Sequence, residues 1–133
     1  TAITVYITVV GLVYQIALRH IWNPTGMQMI VDELLHTLIP VLVIIYWLLY
    51  EEKLPFDWKK IPKFLLYPLV YLIFIITRGA LSEFYPYPFI NVTELGWPHT
   101  LINILVLFVL FLVLFILFTG LGKFLAKKCN QKN

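Results

Sequence analysis

Four long apolar runs, at 1–18, 34–50, 64–77 and 100–122, carry no Lys, Arg, Asp or Glu, and short polar clusters separate them. Each has the length of a helix, not of the alternating strands of about ten residues that build a membrane barrel. A hydrocarbon core about 30 Å thick takes about 20 helical residues. The pattern therefore predicts an all-α polytopic transmembrane bundle, a single domain over 1–133 with four spans and a basic tail at 123–133. Turn chemistry marks the connections at Trp22-Asn23-Pro24-Thr25-Gly26, Leu54-Pro55-Phe56-Asp57 and Tyr85-Pro86-Tyr87-Pro88. The acidic pair Asp32-Glu33 suits the start of the second span, because carboxylates favour a helix N-terminus. The third run rises only about 21 Å as helix, which draws Arg78 below the headgroups and demands a partner. Glu83, Glu33 and Asp32 are the candidates.

Composition agrees with the pattern. The chain is 61% hydrophobic and 13% charged, with a mean hydropathy of +0.88, against about 45–50% and about 25% in soluble domains. A soluble class is excluded. The single Cys129 excludes an internal disulfide and a multi-cysteine metal site. The chain opens Thr1-Ala2-Ile3 with neither Met nor a basic flank, so the expectation is that sequence precedes Thr1, and no signal peptide is visible.

Charge sets an orientation. Lys53, Lys59, Lys60 and Lys63 occupy the second-to-third connection, and Lys123, Lys127, Lys128 and Lys132 the tail. The other face holds only Arg19 and Arg78. By the positive-inside rule the lysine-rich segments, and with them the C-terminus, are cytoplasmic in a multi-pass protein of the cell (plasma or bacterial inner) membrane. The pI near 9.0 is explained by topology and gives no reason to invoke nucleic acid. Trp22 and Trp97 fall at the outer interface, Trp47 and Trp58 at the inner one. The same count puts His20, His36, His99, Asp32, Glu33, Glu83, Glu94 and both arginines toward the outer face, as a polar cavity opening outward requires.

His36 carries the first candidate chemistry. It lies in an apolar span, where an ionisable group is costly and marks a functional site by default. Imidazole is the side chain whose ordinary titration lies nearest neutrality. Asp32 precedes it at i, i+4, on the same helical face, and can fix its tautomer as an orienter fixes a base. Pro40 cannot donate to the His36 carbonyl, which frees that oxygen. His99 and Asn103 form a second i, i+4 pair, equally suited to contacting headgroups. The run from Arg78 to Phe89 offers a cation and the phenols Tyr85 and Tyr87, as a substrate lid or as a loop shaping the membrane boundary. Asn91-Val92-Thr93 reads as a glycosylation sequon. Three histidines with Asp32 lack the spacing of a zinc or haem site, so neither a metal nor a cofactor is expected.

His36-Thr37 with Pro40, followed by Tyr87-Pro88-Phe89, resembles the androgen-induced, androgen-dependent membrane hydrolase family, and Arg78-Gly79 ahead of the second motif resembles its bacterial form. The Trp22-Asn23-Pro24 loop and the fuller Tyr85-to-Phe89 run look like its bacterial integral-membrane branch. The resemblance implies a six-helix domain of which this chain is the last four helices. In the animal members of that family a threonine nucleophile and a histidine hydrolyse lipid esters of hydroxy fatty acids. His36 stands at the histidine position, and the threonine belongs to a helix that would precede Thr1.

Three readings follow. In the first, the protein is an intramembrane lipid-ester hydrolase with His36 as base and Asp32 as its orienter. Arg78, with Tyr85 or Tyr87, then binds a carboxylate or oxyanion, and His99 borders the site. In the second, it is a non-catalytic small subunit or lipid-binding scaffold. Its partners are then the bilayer, a lipid or fatty-acyl ligand, and a larger membrane complex or further copies of itself. A proton path or transporter is the third and weakest, since four helices show no duplicated halves.

Overall fold

A computed structural model describes residues 1–52 and 58–130, with side chains through Lys127. The turn expected at Leu54–Asp57, Lys53 and the last residues of the tail lie outside the described residues. Among the described residues the fold is all-α. The helices are α1 (Ala2–Val13), α2 (Met27–Glu33), α3 (Ile39–Leu49), α4 (Ile61–Ser82) and α5 (Val92–Asn130). A π-helical turn, Tyr14–Leu18, extends α1, and a second, Leu34–Leu38, joins α2 to α3 into one helix from Met27 to Leu49.

Met27–Leu49, Trp58–Ser82 and Val92–Lys127 are long and apolar enough to cross a bilayer, and Ala2–Leu18 is a shorter apolar helix. The protein is an integral membrane protein. Its large apolar side chains are exposed along these helices, among them Ile73, Phe74, Leu105 and Leu117. In water that would be untenable, but against lipid it is the ordinary state of a spanning helix.

Two expectations are corrected. The second helix starts at Met27, not at the acidic pair, because the apolar segment 27–31 continues the helix upstream to Gly26. Gly26, at φ 62 and ψ −136, makes the turn into it. Asp32 and Glu33 are thus interior residues. The third helix has 22 residues, rising about 33 Å, so it takes in Lys63 and Arg78 and is not short. Arg78 sits one turn before the helix end, exposed.

The described chain forms two compact units, one of residues 1–58 with 114–133, the other of residues 59–113. In the first, α1 lies along the Met27–Leu49 helix. Gly11 permits this: a Cβ there would stand 2.9 Å from Pro40 Cβ and 3.3 Å from the His36 carbonyl oxygen. Further along, Trp47 is buried (1% exposed), edge-on to Phe118, with its Nε1 donating to Thr1 Oγ1 at 3.0 Å. Its burial, which the sequence did not mark, is set by the packing of α3 on α5. The Lys123 ammonium lies over the Trp58 ring, 4.7 Å from its centroid.

The second unit is held by apolar contact. Leu72, Ile75 and Ile90 are buried together, with Ile76, Phe89, Ile104 and Phe108 around them. Asn91 caps α5, its Oδ1 accepting from the Thr93 and Glu94 N–H groups, which gives the sequon asparagine a structural use. At Gly96 (φ 73, ψ 160) the helix breaks ahead of Pro98.

Candidate functional site

Where the first apolar helix ends, polar side chains of the first unit form two adjacent networks, each built on an i, i+4 pair of the second helix, while Thr1, Trp47 and Glu51 form a separate one elsewhere in the unit. Tyr14 with Asp32 and His36 makes one. Gln15 with Glu33 and Thr37 makes the other.

In the first network, the Tyr14 hydroxyl donates to Asp32 Oδ2. The other carboxylate oxygen, Oδ1, stands 3.2 Å from His36 Nδ1. The Tyr14 and His36 rings stack at 4.4 Å between centroids and 13° between planes. His36 Nδ1 also lies 3.0 Å from the Asp32 carbonyl oxygen. Both neighbours of Nδ1 are acceptors, so this nitrogen carries the proton, and in the neutral ring Nε2 is left as the base. Asp32 is 12% exposed and His36 28%, so the carboxylate is covered while the imidazole stays reachable.

The second network closes into a ring. Arg19 donates to Gln15 Oε1 and to Glu33 Oε1, both at 2.6 Å. Gln15 Nε2 donates to Thr37 Oγ1, and Thr37 donates to Glu33 Oε2, both at 2.7 Å. Thr37 is thereby committed to its neighbours. It points away from His36, as a one-residue step of about 100° requires.

The backbone explains why both networks fall here. Pro40 has no N–H for the His36 carbonyl, and just upstream the ladder widens, with the Ile39 N–H reaching back to the Leu34 carbonyl. The first helix widens likewise, the Arg19 N–H bonding the Tyr14 carbonyl at 2.8 Å. Single π turns of this kind recur at functional sites. A cavity of about 170 Å³ opens beside the networks, lined by Tyr14, Arg19, Trp22, Asn23, Pro24, Met29, Asp32 and Glu33. It touches the carboxylate and the phenol of the first network but not His36.

The other expected site residues belong to the second unit. The Tyr85 ring packs against α4 at Gly79, where a Cβ would stand 2.3 Å from its Cε1. The Tyr87 hydroxyl stands 3.4 Å from that of Tyr71, and its ring stacks on Phe89. Burial, and then the Tyr71 hydrogen bond, push the Tyr87 phenol up to about 12, so it stays a neutral hydroxyl at physiological pH. His99 Nδ1 is 3.2 Å from the Leu95 carbonyl, and Thr100 donates to the Gly96 carbonyl at 2.9 Å. Both side chains stop carbonyls at the helix break. Asn103 donates to the Phe89 carbonyl at 2.7 Å and so does not pair with His99.

Among the described residues Arg78 makes no ion pair. Glu33 is engaged by Arg19, and Asp32 by His36 and Tyr14. No three of His, Cys, Asp and Glu gather as a metal site among the described residues. Tyr14 and Gln15 are the residues that sequence reasoning missed, and Arg19, placed beforehand on the polar outer face, was given no partner there. The available signal was their i, i+1, i+5 spacing at the polar end of an apolar helix. No protein-family model, curated protein or solved structure matches the chain.

Proposed function

We propose that the protein is an intramembrane lipid-ester hydrolase in which His36 is the general base and Asp32 its orienter. One observation carries this reading: Asp32 divides its two oxygens between Tyr14 and His36 Nδ1, leaving Nε2 as the reactive nitrogen. That is the base–orienter half of a hydrolytic triad. The resemblance of His36, Thr37 and Pro40 to a lipid-hydrolase family points the same way.

In the proposed reaction, Nε2 takes a proton from an attacking water or hydroxyl, and the new bond forms at the ester carbonyl carbon. The ester C–O bond then breaks, and the same nitrogen returns the proton to the leaving alkoxide. Asp32 stabilises the transient imidazolium, and the stacked Tyr14 ring prevents it from turning. The oxyanion-binding role expected of Arg78 has a second claimant in Arg19, which belongs to the unit that holds His36. By the lysine count, the site faces the extracytoplasmic side and the C-terminus the cytoplasm.

The test is turnover of a fluorogenic long-chain ester by the purified full chain in nanodiscs. His36→Ala and Asp32→Asn are each expected to lower kcat about 10²-fold or more. Turnover unchanged in His36→Ala sinks the reading. A second reading, a lipid-binding scaffold without catalysis, is favoured by the cavity lining, which includes Asp32 and Tyr14 but not His36. Absence of turnover together with lipid retention would select it.

A further inference from the structure

The cavity beside Asp32 lies where the apolar helices end: the first stops at Leu18 and the second begins at Met27. Its walls come from both ends and from the loop between them. In a spanning protein that is headgroup depth, where Trp22 is at home. At about 170 Å³ it holds the volume of about five or six waters, well under the roughly 300–1,000 Å³ of pockets that engulf whole ligands. It has room for the polar end of an amphiphile and none for its chains.

The lining carries both signs of charge. Arg19 is 45% exposed and Glu33 41%, and Asp32 joins them in the wall. A purely anionic headgroup would meet two carboxylates, and a bare cation would meet the guanidinium. The exposed Arg19–Glu33 pair is of the weakly held kind, so its members can turn to a ligand. The Trp22 ring, 49% exposed, offers a face of the kind that attracts an ammonium. Met27 and Met29, 75% and 52% exposed, provide an adaptable apolar surface for chains leaving the cavity.

We infer that this cavity binds the headgroup of a zwitterionic phospholipid, a phosphate joined to an ammonium. The phosphate is taken by Arg19, and the ammonium by Asp32, Glu33 and the Trp22 ring. The inference rests on the lipid-ester reading only for what happens to the lipid once it is bound.

The experiment is native mass spectrometry of the full chain released from nanodiscs of equimolar phosphatidylethanolamine, phosphatidylcholine and phosphatidylglycerol. The zwitterionic lipids are expected to be retained about tenfold over phosphatidylglycerol, the worth of one hydrogen bond to a charged group. Glu33→Gln and Trp22→Leu are expected to bring that ratio toward unity. Trp22 takes no part in the Arg19 ring, so Trp22→Leu leaves the helix pairing intact, and an unchanged thermal midpoint verifies it. Equal or better retention of phosphatidylglycerol overturns the inference, as does a preference untouched by both variants. Selective retention without ester turnover keeps the headgroup site and sinks the hydrolase. Turnover dependent on His36 without headgroup preference does the reverse.

Discussion

His36 and His99 both lie in helices long and apolar enough to cross a bilayer, yet the two units use them differently. His36 meets a carboxylate that a tyrosine from another helix holds in place. Among the described residues His99 meets the carbonyl of its own helix, four residues back, at a break made by Gly96 and Pro98. The contrast extends to their surroundings. In the first unit Tyr14, Gln15, Arg19, Glu33 and Thr37 bond across helices. In the second, Thr77, Ser82 and Thr100 each bond their own helix backbone, Asn103 and Tyr71 reach a neutral carbonyl and a neutral phenol on the neighbouring element, and the core is apolar. A polar residue in a membrane helix is therefore not a site by itself. What makes it one is a partner on a second element that fixes its orientation.

The largest effect that would break this comparison is expected at Asp32. Asp32→Ala leaves the Tyr14 hydroxyl and His36 Nδ1 without their shared acceptor and should cost about 2–3 kcal/mol. Unfolding of the purified protein in mixed micelles of increasing SDS fraction measures it. Gly11→Ala comes next, because its new Cβ would stand 2.9 Å from Pro40 Cβ in a helix contact with little room to open. A loss of about 1–2 kcal/mol is expected by the same assay, as for overpacking elsewhere. Thr37→Val removes one link of the Arg19 ring while keeping the shape of the side chain, for about 1 kcal/mol. His99→Ala should lie within about 0.5 kcal/mol of the parent, as exposed substitutions do. A cost at His99 as large as that at Asp32 would erase the distinction between the units.

Much of this was legible in the sequence, and the failures have physical causes. Uncharged length located the helices, and the i, i+4 rule brought Asp32 to His36. The start of the second helix was misplaced because an acidic pair resembles a cap, whereas Gly26 makes the turn. The third span looked short because charges were taken as its ends, yet Lys63 and Arg78 lie inside a 22-residue helix. Tyr14 was invisible because an aromatic residue in an apolar run has no sequence mark of its role. Its importance comes from tertiary pairing, the stack on His36, which spacing along one helix cannot express. Trp47 was lost for the same reason, its burial being decided by Phe118 on another helix.

The measurement that tests the account most directly is ¹⁵N NMR of histidine-labelled protein in nanodiscs, reading the tautomer of His36. The account predicts Nδ1 protonated and Nε2 bare in the neutral ring, with that preference weakened in Asp32→Asn. A neutral His36 protonated at Nε2, unaffected by Asp32→Asn, would contradict it.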